Sequence, residues 1–186
     1  MKRNLAVMHD PETPATRPDF RSLVEDHSDR LFRIAYRMTG DRDDANDVVQ
    51  DTFLRAYRSY DRFVPGSKES VWLNRIASNC SIDLIRKRRY RRTEHLDPTE
   101  VRGPAESTEA APDRATFSGQ IRDRVRAALV ELSDKERTAF VLRHFDDRSI
   151  REIAETMDSP VGSVKNNIFR AVRKLRAVLE PTLGGS

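Results

Sequence analysis

The sequence predicts an all-α protein: two small helical domains joined by a flexible linker. Three observations carry this. Apolar residues recur at three- and four-residue spacing over most of the chain, and no segment alternates with the two-residue period of a strand. Hydrophobic residues make up 37% of the 186 positions and charged residues 34%, lean for one large core but adequate for small helical ones. Between the helical halves lies TEHLDPTEVRGPAESTEAAPDRAT, with three prolines and little periodicity. The expected bounds are an arm over 1–18, a first domain over 19–92, a linker over 93–117, a second domain over 118–180 and a tail over 181–186.

The first helix starts at about Asp19. Phe20, Leu23, Val24, His27, Leu31, Ala35 and Met38 share one face, and Gly40 is placed to stop it. Asp41 can cap the second helix, whose stripe is Ala45, Val48, Val49, Thr52, Phe53, Ala56, Tyr57 and Tyr60. After a Pro65-Gly66 loop, a third helix begins near Lys68 or Ser70. It turns Leu73, Ile76, Ala77, Cys80 and Leu84 inward and runs into LIRKRRYRR, with a break expected near Asn79–Ile82. The second half resumes with Ile121, Val125, Ala128, Leu129 and Leu132. Ser133 with Glu136 forms a capping box that opens a helix carrying Phe140, Val141 and Phe145 inward. Ser149 with Glu152 forms another, opening a helix with Ile150, Ile153, Ala154 and Met157 on one face. Asp158-Ser159-Pro160 breaks it, because proline disfavours a helical residue before itself. The last helix has Val161, Val164, Ile168, Val172, Leu175 and Leu179 on its inner stripe.

Composition narrows the function. Net charge is +4 and unevenly placed, which permits an acidic partner. No apolar run is long enough to span a bilayer, so membrane insertion is not expected. The start, MKRNLAVMHDPETPATRP, has no signal-peptide core, so a disordered arm on a cytoplasmic protein is expected. A single cysteine excludes an internal disulfide, and Cys80 on an apolar stripe reads as a structural thiol. His9, His27, His95 and His144 are scattered, so no metal site is expected. The chain shows no Gly-rich phosphate loop, nucleophile elbow or HExxH motif; neither an enzyme nor a cofactor is expected.

Three surfaces stand out instead. The last helix sets Ser163, Asn166, Asn167, Arg170 and Lys174 opposite its apolar stripe, with Lys165, Phe169 and Arg173 on the flanks. A short capped helix, a Pro-broken turn and a basic second helix make a helix-turn-helix that can offer donors to base edges. A plain amphipathic hairpin with a solvated basic face is the bland alternative. The third helix ends in Arg86, Lys87, Arg88, Arg89, Arg91 and Arg92, six cations in seven positions, more than a helix dipole needs and suited to phosphates. Trp72, Arg75, Asn79 and Asp83 lie just upstream, and an aromatic beside a cationic track suits single-stranded DNA. Trp72 fits a core position equally well. The second helix sets Asp47, Gln50, Asp51, Leu54, Arg55 and Arg58 on the side away from its stripe. That face is either solvated, with pairs such as Asp51–Arg55, or a docking surface anchored by Leu54.

Together these parts resemble a bacterial sigma factor of the extracytoplasmic-function type, in the sigma-70 family. DRDDANDVVQDTFLRAYRSYDRF and VWLNRIASNCSIDLIRKRRYRR carry the likeness in the first half. LSDKERTAFVLRHFDDRSIREIAETM and SPVGSVKNNIFRAVRKLR carry it in the second. The resemblance implies a region-2 and a region-4 domain with no region 3 between them. It implies that Asp47, Gln50, Asp51, Leu54, Arg55 and Arg58 dock on the clamp helices of the largest catalytic subunit of RNA polymerase, and that region 4 meets the flap of the second large subunit. It implies that the segment from Trp72 to Arg92 opens and reads the −10 element, with Asn79 in the part that holds a flipped base. Trp72 matches one of two tryptophans typical of housekeeping members and Val71 replaces the other, so melting should depend more on a well-matched promoter. Ser163, Lys165, Asn166, Asn167, Phe169, Arg170, Arg173 and Lys174 would meet the −35 element. Many relatives carry Ser-Arg after the lysine at 165; Asn166-Asn167 here implies an altered −35 preference, since asparagine pairs with adenine. An anti-sigma partner, which could hold the protein at the membrane, and a monomeric free state are further expectations, as is a role in stress or envelope response. A stand-alone helix-turn-helix regulator is the competing class and would show a dimer surface. A recombinase or transposase fragment would need an acidic metal site or a nucleophile.

Overall fold

The computed structural model describes residues 19–64, 68–94, 124–129 and 131–183, with side chains as far as Arg91 and Glu180 in the segments ending at 94 and 183. The expected arm over 1–18, residues 95–117 of the expected linker and 184–186 of the expected tail lie outside the described residues, while the last helix runs three residues into that tail. The elements are α1 (Phe20–Thr39), α2 (Arg42–Ser59), a 3-10 turn (Tyr60–Arg62), α3 (Glu69–Glu94), α4 (124–129), α5 (Asp134–His144), α6 (Ile150–Met157) and α7 (Val161–Leu183). Among the described residues there is no strand.

Local chemistry sets the helix ends. Gly40 closes α1 at φ 77°, its N–H donating to the Tyr36 carbonyl at 2.9 Å. The Asp41 carboxylate caps α2, accepting from the N–H groups of Asp43 and Asp44 at 2.9 and 3.0 Å. Both capping boxes form, Ser133 with Glu136 on α5 and Ser149 with Glu152 on α6. Asp158 ends α6 in the left-handed region at φ 47°, which aspartate tolerates better than most residues.

The first three helices bury Leu23, Leu31, Ala56, Leu73 and Ala77 at one end of their bundle, and Ala35, Ala45, Val48 and Cys80 at the other. In the second half, α4, α5 and α7 enclose Ala128, Leu129, Leu132, Ala171 and Leu175. A third cluster joins the halves: Ile34 and Met38 of α1 pack with Ala139, Val141 and Leu142 of α5, Ile153 of α6 and Val164 of α7. The two modules are therefore docked on one another, an arrangement that the sequence leaves open. Arg137 is buried at this junction, donating to the Met38 carbonyl at 3.1 Å, and desolvation lowers its pKa.

Four local expectations are corrected. Helix α3 runs unbroken through Asn79–Ile82; it contains neither glycine nor proline, and the Ser81 hydroxyl bonds back to the Ala77 carbonyl at 2.8 Å. Tyr57 is 67% exposed, leaning edge-on against Phe20 with ring centroids 5.1 Å apart. Phe145 sits at the open end of α5 beneath the Arg37 guanidinium, 4.5 Å from its ring centre. Val161 opens α7 and is exposed; Ala171, which periodicity passed over, is fully buried.

Candidate nucleic-acid interface

The capped α6, the Asp158–Pro160 turn and α7 build the helix-turn-helix. Val164, Ala171 and Leu175 anchor α7, and this rotation turns Ser163, Lys165, Asn166, Phe169, Arg170 and Arg173 to solvent. Phe169 is 66% exposed, unusual for a phenylalanine with no covering element. Asn167 is half-buried. Lys174 is also exposed and makes an ion pair to Glu136, 2.7 Å from the carboxylate. Burial pushes Glu136 up, but its bonds from Lys174 and Ser133 outweigh that and hold it below the usual range.

The track on α3 is less uniform than its sequence. Trp72 is half-buried, packed 4.9 Å from the Phe63 ring and beside Tyr60, against the core of the first module. Arg75, Asn79 and Asp83 are exposed. Asp83 pairs with Arg55 at 3.2 Å, coupling the α3 and α2 faces. Within the cation block, Lys87, Arg89 and Arg91 are exposed. Arg88 pairs with the buried carboxylate of Asp44, whose pKa desolvation raises against the pull of Arg88. Arg86 reaches Asp134 at the start of α5 at 2.9 Å, and Arg75 reaches Asp158 at 3.0 Å. The side chain of Arg92 lies outside the described residues.

On α2, Asp47, Gln50, Asp51, Leu54, Arg55 and Arg58 are all exposed, and Leu54 is 55% so. Behind this face Cys80 is buried and its thiol is pushed up by desolvation, which favours an unreactive state. An apolar groove on the second module is lined by Ile150, Ile168, Phe169 and Val172, with Arg143 and Lys165 at its rim. Among the described residues no group of His, Cys, Asp and Glu is placed to hold a metal ion, and no helix is long and apolar enough to cross a membrane.

Sequence reasoning missed one cluster. Asp146, in the loop before α6, accepts from Arg30 of α1 at 2.9 Å, Asn74 of α3 at 3.0 Å and Arg148 at 2.6 Å. Its carboxylate is 5% exposed. The only signal in the sequence was the polar FDDRS loop, which does not reveal a partner on another module.

The fold and its faces define a class: a two-module, all-helical DNA-binding protein with a helix-turn-helix in its second module and a basic helix in its first. The comparisons give the family. The sigma-70 region 2 model matches residues 23–91 and the sigma-70 region 4 model matches residues 122–175. The chain is 34% identical to the ECF RNA polymerase sigma factor SigW of Bacillus subtilis, over 86% of this chain and 88% of that protein. It is 36% identical to the ECF RNA polymerase sigma factor SigE of Mycolicibacterium smegmatis, over 89% of this chain and 63% of that longer relative. Among solved structures it resembles the sigma factor RpoE of Bartonella quintana, in complex with the anti-sigma factor NepR. That likeness has a TM-score of 0.66 and 26% identity, over 87% of this chain and 97% of that one. It also resembles CnrH in complex with the cytosolic domain of CnrY, with a TM-score of 0.63 and 28% identity, over 87% and 88% of the two chains. The chain belongs to the sigma-70 family, in its extracytoplasmic-function group of RNA polymerase sigma factors.

Proposed function

We propose that this sigma factor directs RNA polymerase to promoters by dividing the work among the three faces. The exposed α2 face, with Leu54 as apolar anchor, docks on the clamp helices of the largest subunit. The groove beside α7 receives the flap of the second large subunit. The first turns of α7 enter the major groove at −35, where Asn166 and Arg170 reach base edges and Lys165 and Arg173 reach phosphates. On α3, Lys87, Arg89 and Arg91 track the backbone while Asn79 lies beside the unstacked −10 strand. The chemistry is binding and strand opening. With Trp72 packed on Phe63, few aromatic wedges remain, which favours stringent promoter choice. The complexes of RpoE and CnrH support an anti-sigma partner for this chain too, and the cytoplasm as its place of action.

The observation that carries the proposal is the coincidence, on one chain, of an exposed basic recognition face on α7 with an exposed Leu54 face on α2. The test is run-off transcription with sigma-free core polymerase and a promoter library at two salt concentrations. The expected result is start-site selection that weakens steeply with salt. A folded protein that confers no selection refutes it.

A further inference from the structure

The docking of the two modules conflicts with simultaneous use of both DNA-reading elements. The −35 and −10 elements are separated by about 25 base pairs, roughly 85 Å of duplex at about 3.4 Å per pair. Here Asp158, three residues before α7, is 3.0 Å from Arg75 of α3, so the two reading helices begin within side-chain reach of one another. The docked form must therefore open before promoter binding.

From the contacts that hold it shut, we infer that Asp146 is an interdomain latch that keeps the free sigma factor closed, with α6 covering the DNA-reading helix α3. This rests on the sigma-factor reading. Among the described residues, the Asp146 carboxylate joins three parts of the chain, accepting from Arg30 of α1, Asn74 of α3 and Arg148 of its own loop. Asn74 is itself fully buried and also accepts from Arg30 at 3.0 Å, so the contacts form one connected unit. Arg148 extends it to the Ser70 hydroxyl of α3 at 3.0 Å. Desolvation lowers the Arg30 pKa, with Asp146 as the main opposing charge. Without that carboxylate, Arg30 and Arg148 would face each other as like charges in a desolvated seam.

Two consequences follow. A buried ion pair contributes little net stability, because desolvation offsets much of the attraction, yet it is costly to break from one side. The latch therefore selects the closed arrangement without making it irreversible, and polymerase binding can supply the opening. The closed form also pairs Arg75 and Arg86 with Asp158 and Asp134 of the second module, so two exposed cations assigned to −10 DNA carry a competing carboxylate partner while the α7 face stays exposed.

The test is energy transfer between dyes on Asp26→Cys and Glu180→Cys, at exposed positions on α1 and α7, in the full chain without polymerase. The wild-type background should show a compact population that disappears on adding core polymerase and promoter. Asp146→Asn should raise the ratio of open to closed molecules at least tenfold with helical content unchanged. Arg30→Gln removes the same link from the first module and should do likewise; it decides the matter if Asp146→Asn loses helical content. A free wild-type chain that is already extended, or folded variants as compact as wild type, would overturn the latch. Because these measurements on the free chain do not depend on transcription, a compact chain that opens on Asp146→Asn yet supports no run-off would leave the latch standing and sink the promoter assignment instead.

Discussion

Glu152 offers the sharpest test of how local hydrogen bonding stabilises the helix-turn-helix. Its carboxylate accepts from the Ser149 hydroxyl at 2.7 Å and the Ser149 N–H at 3.0 Å, while Lys68 and Arg148 each approach to 3.5 Å. These groups lower its pKa from 4.5 to about 2, the Ser149 side-chain and backbone bonds contributing most. At about 1.4 kcal/mol per tenfold, that difference corresponds to about 3 kcal/mol favouring the ionised folded state. The side chain is 18% exposed, and allowing for solvent screening leaves about 2 kcal/mol. Glu152→Gln keeps an acceptor oxygen and the shape but loses the charge, so at pH 7 it should lower unfolding free energy by about 2 kcal/mol. The sign with pH follows from the depressed value. Stability from the ionised Glu152 is complete above about pH 4.5 and is lost as pH falls toward 2. The variant has no such group to titrate, so the gap between the two proteins should narrow below about pH 4.5 and be more than halved by about pH 3. Urea unfolding of both proteins across pH 7 to pH 3, followed by circular dichroism, measures it. A gap under about 0.5 kcal/mol at pH 7, or one that persists undiminished at pH 3, would refute the reasoning.

Three further outcomes are expected. Leu54→Asp should abolish co-purification with core polymerase while leaving the melting temperature unchanged, because Leu54 is exposed and supports no core. Arg170→Ala should cost about 1–3 kcal/mol of −35 binding and relax preference at one base position, read by band shift against a substitution series with the polymerase holoenzyme. Gly40→Ala should destabilise the fold by about 1–2 kcal/mol in urea titration. The residue is at φ 77°, and a Cβ there would lie 3.1 Å from the Arg126 side chain.

Much of this architecture could be read from the chain. The caps at Asp41, Ser133 and Ser149 and the stop at Gly40 were legible because they depend on residues within three or four positions of one another. The outward face of α7 was legible because its apolar stripe is regular enough to set the rotation. The six-cation block on α3 was less so. Its composition is uniform, yet Arg88 is bound to Asp44 and Arg86 to Asp134, partners that sequence spacing does not announce. Trp72 fitted core and DNA-facing positions equally in the sequence; the structure packs it 4.9 Å from the Phe63 ring and leaves it half-buried.

The chain alone determined most helix starts and stops and which helix faces lie away from the apolar stripes, because those follow from short-range periodicity and capping. Tertiary structure decided what the faces of α1 and α3 meet. Ile34 and Met38 pack on Ala139 and Leu142, and Arg30 and Asn74 close on Asp146 more than seventy positions away. Such contacts depend on shape and charge matching between modules distant in sequence, and apolar periodicity shows that a surface seeks cover without showing what covers it.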